Sequence, residues 1–138
     1  MIKNIILRTI VTFMMPIILL YGLYIQVHGD YSPGGGFQAG VIIASVIILY
    51  TMVFGINSVF RIMSISNIRL IGAIGVLMYI VTGIITMCFG SRFLSYSVLL
   101  SDSLAAQQLG IFIVELGVGM AVCSSMISIY LSFVSRKK

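Results

Sequence analysis

The chain is built from long apolar runs separated by short polar breaks. Ile5–Val27 is almost wholly apolar, and the apolar character resumes over 41–56, 70–89 and 110–134. A helix needs roughly 20 apolar residues to cross a hydrocarbon core about 30 Å thick, and these runs meet that length. They are continuous, not alternating, which disfavours a membrane β-barrel. Lipid cannot satisfy free backbone groups, so spans of this kind must be helices. The pattern predicts an all-α integral membrane protein with four transmembrane helices, over about 5–27, 36–56, 70–89 and 110–134. With no internal repeat and no linker, residues 1–138 read as one domain. Pro16 lies inside the first span, where it predicts a kink that neighbouring helices tolerate.

The breaks differ in character. Residues 28–40, HGDYSPGGGFQAG, gather His28, Asp30, Ser32, Pro33, three consecutive glycines and Gln38 into one reversal. Ser32-Pro33 has the form of a helix cap followed by proline at the first helical position. The second break, 57–69, carries Arg61, Ser64, Ser66, Asn67 and Arg69. The third, 90–109, is longer and holds Arg92, Tyr96, Asp102, Gln107 and Gln108. Its leucines and valines suggest that it lies against the membrane surface or a partner, with Ser101 or Ser103 able to cap a short helix.

Composition agrees: 60% of residues are hydrophobic, 8% are charged, and the mean hydropathy is +1.20. The net charge of +5 points to membrane topology and not to nucleic acid. Lys3, Arg8, Arg61, Arg69, Arg136, Lys137 and Lys138 fall on one side of the predicted spans, and only Arg92 on the other. Positive residues collect on the cytoplasmic side, so both termini are expected there and the His28 reversal outside. The first run is too long for a signal-peptide core, and no small-x-small cleavage site follows it. Cys88 and Cys123 fall inside spans without metal-ligand spacing and read as packing residues.

Small residues mark packing faces: Gly36, Gly40 and Ala44 on the second span, with Gly34 and Gly35 before them, and Gly117, Ala121 and Ser125 on the fourth. Glu115 is the sole acidic residue inside a predicted span. Measured from Gly110 it lies about 7–8 Å along the helix axis, where a charge costs less than at the bilayer centre. In projection Gly119 and Gln108 share its face. Ile113, Leu116, Met120, Ile127, Leu131 and Val134 form the arc expected to face lipid or bulk packing. Glu115 therefore reads either as a proton or cation relay or as a structural carboxylate paired with a neighbouring subunit. His28 reads as a solvated or hydrogen-bonded interface group, with a proton role left open by the chemistry of imidazole. Asp30 is a turn residue or an ion ligand. Arg92 and Asp102 read as surface charges.

The triple glycine is not a phosphate loop, since neither a preceding strand nor a following Lys-Ser/Thr is present. Close backbone approach at the start of the second span is the better account. With no nucleophile–base pair, no paired catalytic carboxylates and no metal cluster, the expectation is a non-enzyme without cofactor or resident metal.

The stretch His28-Gly29-Asp30-Tyr31-Ser32-Pro33-Gly34-Gly35-Gly36-Phe37-Gln38-Ala39-Gly40 closely resembles the signature of the MnhB/MrpB family, small subunits of the multisubunit Na+/H+ antiporter called Mrp, Mnh or Sha. Val114-Glu115-Leu116-Gly117-Val118 is similar to the family's acidic-Leu-Gly-Val element, which often has Asp where this chain has Glu115. The resemblance covers nearly the whole chain. It implies assembly with other antiporter subunits in the lipid bilayer of a bacterial or archaeal cell (inner) membrane. Two of those subunits are large and similar to proton-pumping subunits of respiratory complex I. It also implies exchange of Na+ or another monovalent cation for H+, and a role in antiport for the positions of Pro33 and Phe37. Glu115 falls on the acidic position and becomes the candidate for the cation path.

The leading expectation is thus a non-catalytic antiporter subunit that contributes to the cation path and to assembly. The alternatives are an equivalent subunit of a membrane-bound hydrogenase-type complex, a purely structural scaffold with Glu115 as an interfacial pin, and, ranked last, a stand-alone four-helix exporter of cationic drugs.

Overall fold

A computed structural model of the chain describes residues 5–29, 34–99 and 102–135. Five helices account for most of them: α1 Ile5–Val27, α2 Gly36–Phe54, α3 Ile56–Ile62, α4 Ile65–Cys88 and α5 Ser103–Ser135. Four of these, all but α3, are long and apolar enough to cross a membrane. Pro16 is accommodated within an unbroken α1.

The four long helices pack as a row. α5 lies between α4 and α2, and α1 lies against the far side of α2 with a minor contact to α5. α1 is the least embedded, burying only Gly22, Ile25 and Gln26, all in its last two turns. Its other end is tied by the Arg8 guanidinium, 4.7 Å above the Phe54 ring centroid.

Three differences from the sequence pattern matter. First, residues 57–69 are not one loop. Gly55, at φ +88°, turns the chain into α3, and Ser64 caps α4 by accepting from the Asn67 amide at 3.2 Å. α4 therefore starts five residues earlier than the apolar run, because a good cap lets polar residues enter its first turn. Second, α5 starts at Ser103, seven residues ahead of Gly110. Asp102 Oδ1 accepts from the Leu104 amide at 3.2 Å, so Asp102, expected to be a plain surface charge, caps this helix. At 33 residues α5 is about 50 Å long. Glu115 sits about 18 Å from its start, because the helix begins well ahead of Gly110.

Third, the segment after α4 folds back on the chain itself. Phe93 fills the space left by Gly83, and Tyr96 does the same at Gly110. Leu94, in left-handed backbone at φ 62°, donates its amide to the Thr86 hydroxyl at 3.0 Å. Burial, with Tyr79 adding to it, pushes the Tyr96 phenol above its ordinary pKa, so this ring contributes packing and no charge.

Two kinds of packing hold the row. The apolar core of Ala44, Ile68, Ile127 and Leu131, joined by Ile47, Ile56 and Met63, sits at the end of the row near α3. Toward the other end glycines bring backbones together. A Cβ on Gly40 would stand 2.6 Å from the Gly119 carbonyl, and one on Gly75 2.5 Å from the Gly117 carbonyl. The Ile127/Leu131 arc of α5 is therefore core and not lipid-facing. Ser125, expected at a helix contact, is exposed and bonds its own Val122 carbonyl. Its neighbour Ser124 makes the crossing, donating to the Ile68 carbonyl at 2.6 Å. A step of one residue turns a helix by about 100°, enough to exchange these roles.

Candidate functional site

Glu115 lies on α5, half-buried, at the level where α2 begins. Gly29, Gly35 and Gly36 surround it, and each leaves room that any other residue would fill. A Cβ on Gly29 would fall on the carboxylate, and one on Gly35 would stand 2.8 Å from Oε1. A Cβ on Gly36 would collide with the backbone carbonyl of Glu115 itself. Gly34 serves a neighbouring contact, where a Cβ would meet Gln38 Oε1 at 2.9 Å and Ile25 Cγ2 at 3.0 Å. The glycine reversal and the intramembrane carboxylate, about 80 residues apart in sequence, are one site.

The electrostatics follow from the helix start. Gly35 is the cap of α2, its backbone extended at φ −170°, and it has no side chain to accept from the helix's first amides. The first-turn amides and the aligned peptide dipoles leave partial positive charge there. Glu115 brings a carboxylate to that end from another helix. Such a pairing contributes about 0.3–1 kcal/mol when exposed and up to about 2 kcal/mol when partly buried. That offsets part of the insertion cost of an acidic side chain, which is roughly 2.5–3.5 kcal/mol at the bilayer centre and less toward its edge.

One helical turn further along α5 is a second polar group that the sequence reading missed. Gln26 of α1 is 8% exposed, and its Oε1 lies 2.5 Å from where a Cβ on Gly119 would be. Its Nε2 is buried with no hydrogen-bond partner among the described residues. Gln26 opens on a cleft of about 350 Å3 whose other walls include Leu23, Ile43, Ile71, Leu116 and Met120. The signal was present: Gln26 is the one carboxamide in the Ile5–Val27 run.

The other predicted residues are dispersed around this site. His28 follows the last residue of α1, its ring stacked on Tyr24 at 4.3 Å and its Nδ1 3.1 Å from the Tyr24 carbonyl. Its chain neighbour Gly29 brings this end of α1 against Glu115. Phe37 is 62% exposed, on the side of α2 turned away from the chain's own helices. Asp30 and Pro33, with the cap reading of Ser32-Pro33, lie outside the described residues, as do Lys3, Ser101, Arg136, Lys137 and Lys138. Ala44 is in the core. Gly117 meets Gly75, with Ala121 beside them. Cys88 and Cys123 are free thiols, and no group of three or more His, Cys, Asp or Glu able to hold a metal occurs among the described residues.

Four apolar helices in a row, with a carboxylate seated in a glycine turn at one end, define a multi-pass helical membrane protein built around a half-buried acidic site. Residues 6–128 match the family model for a domain related to the MnhB subunit of Na+/H+ antiporter, and the chain belongs to that family. Among its relatives are proteins named "Putative antiporter subunit mnhB2" in Staphylococcus aureus strains Newman, JH1 and Mu3, each 37% identical over 93 residues. The match takes in 67% of this chain and 65% of those relatives' length, just under two thirds of them. Both halves of the site fall inside the residues matched by the family.

Proposed function

We propose that the chain is a non-catalytic membrane subunit of a multisubunit Na+/H+ antiporter, and that Glu115 is its ion-handling group. The observation that carries this reading is the seat of Gly29, Gly35 and Gly36 around Glu115. Glycine at all three positions lets the carboxylate lie directly against main chain at the start of a helix. A carboxylate held against the amides of a helix start is a group that can take up and release a proton or a cation. Na+, or another monovalent cation, and H+ are the substrates. The partners are other antiporter subunits, the large complex-I-like ones among them, in a bacterial or archaeal cell membrane. The basic residues set the orientation, with both termini cytoplasmic and the Glu115 seat toward the outer face.

The test is Glu115→Gln, which keeps shape and removes charge. Na+-dependent proton exchange in everted vesicles should fall to near background while the complex still runs intact on a native gel. Exchange at the unsubstituted rate would rule out a charge requirement at this position. A scaffold reading has its own support in the close crossing of Gly40 and Gly119. Under it, Glu115→Gln should disperse the complex on the gel, and not silence an assembled one.

A further inference from the structure

We propose that the cleft between α3, α4 and α5, at the end of the row opposite Glu115, binds the headgroup of an anionic phospholipid, with Arg69 holding the phosphate. The inference does not depend on Glu115 handling ions. Its ground is a charge without a counter-charge. No acidic residue lies between 31 and 101 or after 115, so the segments that build this end bring Arg61 and Arg69 and no side-chain carboxylate. Arg69 makes no hydrogen bond, ion pair or ring contact among the described residues. A phosphate suits the planar fork of a guanidinium, which can hold two of its oxygens at once.

The cleft supplies the rest of a headgroup site. It encloses about 460 Å3, and its polar wall is Arg69 of α4 with Ser128, Ser132 and Ser135 of α5. A helical serine commonly returns its hydroxyl to a carbonyl one turn back, as Ser125 and Ser132 do. The hydroxyls of Ser128 and Ser135 make no such bond among the described residues, which leaves two donors in the cleft with the guanidinium. The Ser124 bond to the Ile68 carbonyl fixes the α4 backbone beside Arg69 against α5.

Depth and rim fit a lipid. Ser132 lies about 25 Å along α5 from Glu115. With Glu115 toward one edge of a hydrocarbon core about 30 Å thick, the cleft reaches the headgroup level of the other edge. Phe60 and Ile65 also line it, are 39% and 44% exposed, and offer apolar surface to acyl chains. A cation and hydroxyls beside exposed apolar groups match an amphiphile better than a free anion. Basic pockets between membrane helices on the cytoplasmic side bind anionic headgroups, and the basic residues assign this end to that side. Arg61 lines a different cleft, with Asn57 and Tyr130, and so provides the comparison.

The test uses the assembled complex in vesicles of phosphatidylcholine with a minor share of phosphatidylglycerol. Photoreactive p-benzoylphenylalanine replaces Phe60, and adducts on this chain are read by mass spectrometry. Phosphatidylglycerol should exceed its share of the vesicle about tenfold among the adducts, as expected for charge-assisted contacts to phosphate. Arg69→Gln should return it to that share, and Arg69→Lys, a charge without the fork, should keep an intermediate excess. Arg61→Gln should change the excess less than about twofold, because an exposed charge outside the cleft is screened. Added inorganic phosphate should leave it in place.

An adduct to another subunit instead of lipid overturns the proposal and means that a partner chain covers the cleft. Equal losses in Arg61→Gln and Arg69→Gln overturn it in favour of diffuse surface charge. Loss of the excess in inorganic phosphate overturns it in favour of a small-anion site. None of these outcomes bears on Glu115→Gln, which is read in exchange alone.

Discussion

The carboxylate of Glu115 stands where the side chain of residue 29 would be if Gly29 were any other amino acid. The relationship joins the end of α1 to the middle of α5 through an empty position. It also separates the glycines of the reversal by what they face. Gly29 and Gly35 face the movable end of the Glu115 side chain, whereas Gly36 faces its fixed backbone.

Gly29→Ala should therefore be a functional lesion more than a structural one. The added methyl meets carboxylate atoms, and a glutamate side chain can shift to another setting for about 1 kcal/mol. The complex should assemble in normal amount on a native gel. Na+-dependent proton exchange should fall several-fold, because the carboxylate has left the start of α2. Normal exchange in an assembled Gly29→Ala complex would show that the seat does not matter.

Gly36→Ala should behave oppositely. Its methyl meets the Glu115 carbonyl, so α2 and α5 must part, and overpacking of this kind costs about 1–3 kcal/mol. Gly40→Leu presses a larger group against the Gly119 carbonyl and should cost more. Both changes should lower the amount of assembled complex and the temperature at which it aggregates, with Gly40→Leu the more severe of the two. Assembly at the normal level in both would mean that the α2–α5 crossing can open without loss.

The reversal was legible as a stretch specified for shape, and Glu115 as a polar residue that a membrane helix must justify. That both serve one cation path at similar depth was an expectation of the sequence; that the glycines touch the carboxylate was not legible, because nothing local links residues about 80 apart. The rotational setting of α5 was harder still. Lipid and a membrane protein's interior are about equally apolar, so apolar residues such as Ile127 and Leu131 carry no mark of which they face. The sequence therefore left that arc open between lipid and bulk packing, and Ser125 took the place of Ser124. Gln26 was overlooked in a reading centred on charge, although an amide at membrane depth needs a partner as a charge does. The early start of α5 came from Asp102, whose capping contact outweighed the polarity of residues 103–109.

Thr86 offers a test of the folded-back segment. Its hydroxyl donates to the Gly83 carbonyl at 2.8 Å and accepts from the Leu94 amide at 3.0 Å. Thr86→Val keeps the volume and leaves that amide without its acceptor, at a cost of about 1–3 kcal/mol. Leu94 already holds a left-handed backbone that disfavours a side chain by roughly 1–2 kcal/mol, so the turn has little reserve. Protease cleavage within 90–95 should speed up in Thr86→Val, and a Leu94→Gly change in the same chain should restore much of the resistance. Unchanged cleavage in Thr86→Val would mean that the turn is held by Phe93 and Tyr96 alone.

Phe37 poses the sharpest question, because the family resemblance assigns it a part in antiport and the structure turns it outward. At 62% exposure it loses little packing within this chain when truncated, and the Glu115 seat on the other side of α2 should be untouched. Its contribution must then come from what lies outside the chain. Phe37→Ala should leave the isolated subunit as stable in detergent as before, within about 0.5 kcal/mol. In the membrane it should weaken the complex on a native gel and lower exchange in proportion to the complex lost. Phe37→Cys should cross-link to another subunit. If Phe37→Ala instead lowers exchange in complexes that remain fully assembled, and Phe37→Cys finds no partner, then Phe37 acts on the path itself and its outward setting changes on assembly.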